Sequence, residues 1–271
     1  MYRRPKAKKK AFVAILAHNE AFNIRHALEE AKKLRDAKIV HDIVVVDDGS
    51  NDRTSDIVRF EGGVHLARHK TNQGMRRAFV TAVNEVHRRG GDMMVLMDGD
   101  TMAFPRGSAS SAIRHIESGK KDMLAFKAME RKGDSFEQIK SPNFVGPRVI
   151  NMRALRPLIK GDRRWISLLT NNDVPRDILT KAARSIAFLP SPESCIDIDT
   201  GRFSENHENL GIHRWGLPTA LGLLIPNSSK RMDYPIYHKG AYRGFISNER
   251  GKLLQRYADD FVRGLDKKEA R

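Results

Sequence analysis

Read from its N-terminus, the chain alternates short apolar runs with longer stretches whose apolar residues recur every three or four positions. Residues 11–17, "AFVAILA", are apolar throughout and stop at His18, Asn19 and Glu20. A run without polar interruption suits a strand buried on both faces. Ile24, Ala27, Leu28 and Ala31 then recur at helical spacing, predicting an amphipathic helix to about Leu34. A second apolar run, "IVVV" at 43–46, ends at Asp47 and Asp48. A short helix from about Thr54 to Phe60 and a strand near Val64 to Leu66 come next. Met75, Ala78, Phe79, Ala82, Val83 and Val86 keep i, i+3, i+4 spacing, so a helix begins near Asn72, and the strand "MMVLM" follows "RRGGD".

Strands alternating with helices imply parallel pairing through right-handed crossovers, hence an open α/β sheet with helices on both faces. Ligands of such sheets bind beyond the carboxyl ends of the strands. Asn19 with Glu20, Asp47 with Asp48, and Asp98 with Asp100 all stand at such ends. Beyond Lys121 the periodicity weakens. There "DMLAF" reads as a strand, "FVGPRVINMRAL" as a strand or turn leading into a helix, and "SPNF" and "LPSPES" as loops.

The chain has 271 residues, 40% hydrophobic and 30% charged, which places it among folded globular proteins and excludes a mainly disordered chain. Charge changes the picture more. Lys and Arg number 49 against 33 Asp and Glu, a formal net charge of +16, which points to a polyanionic partner such as nucleic acid, an anionic membrane surface or a phosphorylated substrate. Part of the excess lies in "MYRRPKAKKK", which reads as a flexible basic arm over residues 1–10.

Cys195 is the single cysteine, so an intrachain disulfide and a thiolate zinc site are excluded and a reducing cytoplasm is the expected home. The basic arm and "AFVAILA" have the layout of a secretory signal, but "HNE" follows without a small-residue cleavage site. The longest later apolar run, "LPTALGLLIP" at 217–226, is too short to span a bilayer, so no membrane span is expected.

The expected crevice lacks the usual phosphate device: neither G-x-G-x-x-G nor G-x-x-x-x-G-K-[ST] occurs where it would be needed. A diphosphate would have to be neutralised otherwise. Carboxylates at i and i+2, Asp98 and Asp100, can supply hard oxygen ligands to Mg²⁺ or Mn²⁺, and Gly99 between them lets the backbone turn close to a ligand. One crossover earlier, in "VVVDDGSND", Asp48 can accept hydrogen bonds from a nucleobase or ribose, while Gly49 and Ser50 are expected to open a helix whose N-terminus attracts anions. Other readings are a solvated Asp-Gly turn, a nucleotidyl-transfer site with paired metals, and a non-catalytic nucleic-acid-binding protein on the same scaffold.

"LAHNE" at 16–20, "VVVDDGSNDRT" at 44–54, "NQGMRRA" at 72–78 and "LMDGD" at 96–100 occur in this order. In these four motifs the chain resembles the family 2 glycosyltransferases of the GT-A fold, a Rossmann-like open mixed sheet, mostly parallel. That family moves a sugar from a nucleotide-activated donor to an acceptor, usually with a divalent metal. The resemblance implies a UDP- or GDP-sugar donor, with Mn²⁺ or Mg²⁺ as cofactor. It places Ala17 and Glu20 beside the nucleoside, Asp48 on the base with Asp47 next to it, Asn72 and Gly74 in the donor pocket, Asp98 on the ribose and metal, and Asp100 on the metal. Met75 and Arg76 stand where the family often has lysine and glycine, which adds Arg76 and Arg77 to the donor candidates.

The second half resembles the family more loosely. Residues 11–126 would form the nucleotide-sugar half and 127–271 the acceptor-side half of the same domain. There the resemblance implies Gly146 and Arg148 on the acceptor side and His238, in "YPIYHKGAY", as a further metal ligand. "WGLPTALGLLI" lacks the acid that many members carry in the corresponding helix. An inverting transfer needs a base for the acceptor hydroxyl, and Asp197, Asp199, Glu205 and Glu208 are the candidates, with a retaining route left open. The basic excess recurs along the chain, in "RHKTNQGMRR", "RPLIKGDRR" and "HKGAYRG". That spread favours DNA as acceptor, a hydroxylated base being flipped into the pocket, over a polyprenyl phosphate met at an anionic membrane.

Overall fold

A computed structural model describes residues 9–101, 104–132, 135–138, 147–170 and 228–237, together with Leu221 and Ile225. Strand β1, Ala11–Ala17, is buried along its whole length. Strands β2, Asp42–Asp47, and β4, Met93–Asp98, flank it in parallel, and β3, His65–Arg68, pairs in parallel with β2. The uninterrupted apolar runs have a direct cause. Ala11, Val13, Ile15 and Ala17 pack with residues of helices α1, Ile24–Asp36, α2, Thr54–Glu61, and α4, Arg106–Glu117. Phe12, Ala14 and Leu16 point the other way, onto α3, Met75–Arg88. A strand alternates its side chains between faces, so a sheet covered on both sides needs apolar residues at every position. Within the α3 layer Phe79 is fully buried, and its truncation to alanine would cost about 3–5 kcal/mol.

The second half joins the same sheet with reversed polarity. After β5, Met123–Lys132, and β6, Ser135–Gln138, the chain returns as β7, Arg148–Asn151, which inserts antiparallel between β4 and β5. Strand β8, Ser228–Tyr237, pairs in parallel with β5, and the order along the sheet is β3-β2-β1-β4-β7-β5-β6. Short helices α5, Arg156–Ile159, and α6, Arg163–Thr170, follow β7, with Leu158, Trp165 and Leu169 in the core on the α3 side. The fold is therefore the mixed, mostly parallel α/β sheet expected from the sequence. Among the described residues no helix is long and apolar enough to cross a membrane.

Three local features differ from expectation. Helix α4 went unread because its core-facing residues include Ser108, Ala109 and Ala112, which give a faint apolar stripe. The sequence ordering of strands did not disclose that β7 is antiparallel. Ser50 also does not open α2, which begins four residues later.

Candidate active site

Three crossover loops meet at the carboxyl edge of the sheet, and they do so at backbone contact distance. Past the end of strand pairing, the Asp48 N–H donates to the Ala17 carbonyl at 2.8 Å and the Gly99 N–H donates to the Leu16 carbonyl at 2.8 Å. A Cβ on Gly99 would lie 3.0 Å from both Ala17 Cβ and Glu20 Cγ. The turn through Gly49 is tighter still: its φ is +67°, and a Cβ there would lie 2.2 Å from the Thr71 carbonyl carbon. Only glycine meets both demands.

Asp48 is the point where these loops are tied. Its side chain is 5% exposed. Oδ1 accepts from His69 Nδ1–H at 2.6 Å and from the Gln73 N–H at 2.9 Å, and Oδ2 accepts from the Gly74 N–H at 2.7 Å. His69 Nε2 in turn meets the Thr81 hydroxyl of α3 at 2.8 Å.

The Asp48 carbonyl accepts from His18 Nδ1–H at 2.9 Å. Asn19 Oδ1 accepts the Asn51 N–H and Asn72 Oδ1 accepts the Gly74 N–H, which turns both amide nitrogens toward His18 Nε2 at 3.2 and 3.0 Å. The neutral Nδ1–H form of His18 is the one that satisfies all three contacts.

Its neighbour Asp47 builds the turn. Asp47 is fully buried, Oδ1 accepting the Ser50 N–H at 2.9 Å and Oδ2 the Ser55 hydroxyl, with Arg68 Nε at 3.6 Å. Asn19 sits in the left-handed region at φ 55° and donates its N–H to Ser50 Oγ. The start of α2 is covered by Asp52, whose carboxylate accepts the Thr54 N–H and hydroxyl and the Ala21 N–H. Burial works to raise the Asp52 pKa, but these hydrogen bonds hold it below the usual carboxylate value. Glu20 is buried beside Gly99, and its Oε2 accepts from Asn23 Nδ2–H at 2.8 Å.

Asp98 closes β4, half-buried, and Asp100 follows at 4% exposure. Two carboxylates at this spacing are the hard-oxygen donor set that suits Mg²⁺ or Mn²⁺. Among the described residues no group of three or more His, Cys, Asp or Glu could hold a metal. The buried Arg148 guanidinium lies within electrostatic reach of Asp98, from a β7 position in register with Leu96. Burial pushes its pKa down to about 10, against the pull of the Asp98 charge. The chain beyond Asp100 is anchored by Glu30 of α1, whose Oε2 accepts the Phe104 N–H at 2.9 Å.

Helix α3 starts at this same edge, just after Gly74, with two arginines and no acidic residue in its first turn. Arg76 is buried and Arg77 exposed. Burial, and then the Arg77 charge, lower the Arg76 pKa. Ala17, Glu20, Asp47, Asp48, Asn72, Gly74, Arg76, Asp98 and Asp100 thus all belong to the carboxyl edge. Gly146, Asp197, Asp199, Glu205, Glu208 and His238 lie outside the described residues. His69, Thr81 and Glu30 fall in no motif, and sequence reading passed over them.

The mixed α/β sheet gathers carboxylates from successive crossovers on one edge, as the resemblance to the family 2 glycosyltransferases leads one to expect. Residues 12–174 match Glycosyl transferase family 2, and the chain belongs to that family. It is 34% identical over 99 residues to the uncharacterized protein MJ1222 of Methanocaldococcus jannaschii, a stretch that covers 36% of this chain and 39% of that protein. Among solved structures it is similar to S. aureus TarS 1-349 in complex with UDP-GlcNAc, at 20% identity and TM-score 0.43 over 54% of this chain and 46% of that one. It is also similar to glucosyl-3-phosphoglycerate synthase from Mycobacterium tuberculosis in complex with Mn²⁺, UDP and phosphoglyceric acid, at 16% identity and TM-score 0.41 over 55% and 58% of the two chains. The chain spans less than two thirds of the length of each of these proteins.

Proposed function

We propose that the protein transfers a sugar from a nucleoside-diphosphate donor to an acceptor hydroxyl. One observation carries this reading: Asp48, Asp98 and Asp100 converge on the edge where α3 begins, with Arg76 and Arg77 in its first turn. Asp48 reads the base, Ala17, Asn72 and Gly74 line the nucleoside, and Asp98 and Asp100 would hold Mg²⁺ or Mn²⁺. The ion, when bound, neutralises charge on the departing diphosphate. Arg76 and Arg77, at a helix N-terminus, add positive potential for the phosphates.

Lone pairs at Asp48 favour one base. A carboxylate has about four acceptor positions. Three are taken by His69, Gln73 and Gly74, leaving one on Oδ2. The single N3–H of uracil needs one acceptor, whereas the N1–H and N2–H pair of guanine needs both oxygens, so a UDP-sugar is the donor we favour.

For the acceptor we favour a hydroxylated base in DNA. The support is the net charge of +16 and the exposed Arg53, Lys70 and Arg77 around the site edge. The acceptor proton would pass to one of Asp197, Asp199, Glu205 or Glu208 in an inverting transfer. A reducing cytoplasm fits the single cysteine.

A thermal-shift panel of UDP, GDP, dTDP and CDP, with and without Mn²⁺ and with Asp100→Asn, tests the donor reading. Stabilisation by UDP that needs the metal and vanishes in the variant is the expected result. Silence toward every nucleotide, beside salt-sensitive stabilisation by DNA, would leave a binding protein instead. Turnover on polyprenyl phosphate and none on DNA would replace the acceptor.

A further inference from the structure

His69 belongs to no motif, yet it is the side chain through which Asp48 is joined to α3. The imidazole is 11% exposed. Since a carboxylate only accepts, the proton on Nδ1 lies in the 2.6 Å contact to Asp48 Oδ1. On the other side Nε2 meets the Thr81 hydroxyl at 2.8 Å, a group that both donates and accepts. The ring therefore has a polar partner at each nitrogen and none to spare for a ligand.

What His69 fixes is the orientation of the Asp48 carboxylate, and that carboxylate holds the amides of Gln73 and Gly74. These amides belong to the loop leading into α3, whose first residue is Met75. The loop also carries Asn72, which reaches across to His18. Rotation of Asp48 about its side-chain torsions would release both amides and the remaining acceptor position on Oδ2 together.

We propose that His69 is a positioning residue for donor recognition: it locks the Asp48 carboxylate onto the 73–74 amides and so holds the nucleoside cleft in its binding shape before the donor arrives. The inference rests on the donor reading above, and it concerns preorganisation rather than contact. His69 itself touches no substrate. Thr81 supports the ring from α3, at one further remove.

The two nitrogens of His69 can be tested separately. His69→Asn keeps a donor where Nδ1 stands, His69→Gln keeps one where Nε2 stands, and His69→Leu keeps neither. Two readouts are taken on the full chain: hydrogen exchange at the Gln73 and Gly74 amides without ligand, and UDP affinity with Mn²⁺ present. Removal of a hydrogen bond to a charged group predicts affinity about tenfold or more weaker in His69→Leu and His69→Gln. Faster exchange at both amides should accompany it, and His69→Asn should restore protection and most of the affinity.

Equal protection in all folded variants, or His69→Asn no better than His69→Leu, would overturn the proposal, because a merely structural role would not distinguish the two nitrogens. Should wild type bind no nucleotide while the exchange pattern follows the expected order, the donor reading fails and the positioning role of His69 stands. Thr81→Val, which keeps the shape of the ring's support, is expected to fall between wild type and His69→Leu, and exchange unchanged from wild type would remove Thr81 from the arrangement.

Discussion

Glu30 Oε2 accepts the Phe104 N–H at 2.9 Å, so a buried carboxylate of α1 fixes the chain that leaves Asp98 and Asp100. Glu30→Ala would leave that N–H buried without its acceptor, costing about 1–3 kcal/mol. Glu30→Gln keeps an acceptor oxygen and loses the ion pair to Lys33, whose side chain is 58% exposed and whose pairing is worth under about 1 kcal/mol. Urea midpoints should rank wild type, then Gln, then Ala. Equal losses in the two variants would assign the effect to the ion pair instead.

Two glycines of the site edge should respond very differently to a methyl group. Gly49→Ala combines a positive φ with a Cβ at 2.2 Å from backbone, and neither neighbour can move without opening the Asp48 turn. A loss above about 3 kcal/mol is expected, among the larger effects of single substitutions. Gly74 has φ +89° and ψ 155° and nothing within 4 Å of where a Cβ would sit, so Gly74→Ala meets conformational strain alone, about 1–3 kcal/mol. Melting temperatures compare them directly, and a Gly49→Ala protein as stable as Gly74→Ala would show that the 71–72 segment gives way.

Much of this arrangement was legible in the sequence because period and burial agree. The runs at 11–17, 43–46 and 93–97 became β1, β2 and β4, and the spacing of Met75 through Val86 became α3. Acidic residues at the strand ends marked the edge where the loops meet. The partners that hold them were not legible. His69 and Asp48 are joined by parallel pairing of β2 and β3, which continues from Asp47 and Arg68, and no local pattern encodes that register. Arg148, which the resemblance puts on the acceptor side, is buried because β7 inserts antiparallel beside β4, and no local pattern gives that burial. Asp47 and Asp48, adjacent and chemically equal, part company where β2 ends: Asp47, its last residue, supports the 50–55 turn, and Asp48, just beyond it, the 73–74 amides.

Acid should loosen the start of α2. The folded pKa of Asp52 lies below its ordinary value of 3.8, so folding favours the ionised carboxylate. The stabilisation is complete above that ordinary value and is lost as pH falls through the lowered one. Asp52→Asn should therefore be less stable than wild type near neutrality, and the gap should close below about pH 4. Paired urea titrations between pH 7 and 3 measure it. A gap that stays constant across the range would mean that the loss does not depend on the charge of Asp52.

Arg148 and Asp98 give the site's electrostatics a sharper test. Burial pushes the Arg148 pKa down to about 10 and the Asp98 charge works against it, so each charge makes the other tolerable. Arg148→Met would leave Asp98 without that compensation, and Asp98→Asn would leave a buried guanidinium facing a neutral amide. Either change alone is destabilising, and removing one member of a fully buried pair costs about 3–5 kcal/mol, less here because Asp98 is half-buried. The double variant removes both charges and should recover part of the loss, with a coupling energy of about 1–3 kcal/mol in a double-mutant cycle by urea unfolding. Additive losses would separate the two residues and return Arg148 to a purely packing role. With coupling present, Mn²⁺ should bind the edge more weakly in wild type than in Arg148→Met, because the guanidinium competes for the same carboxylate.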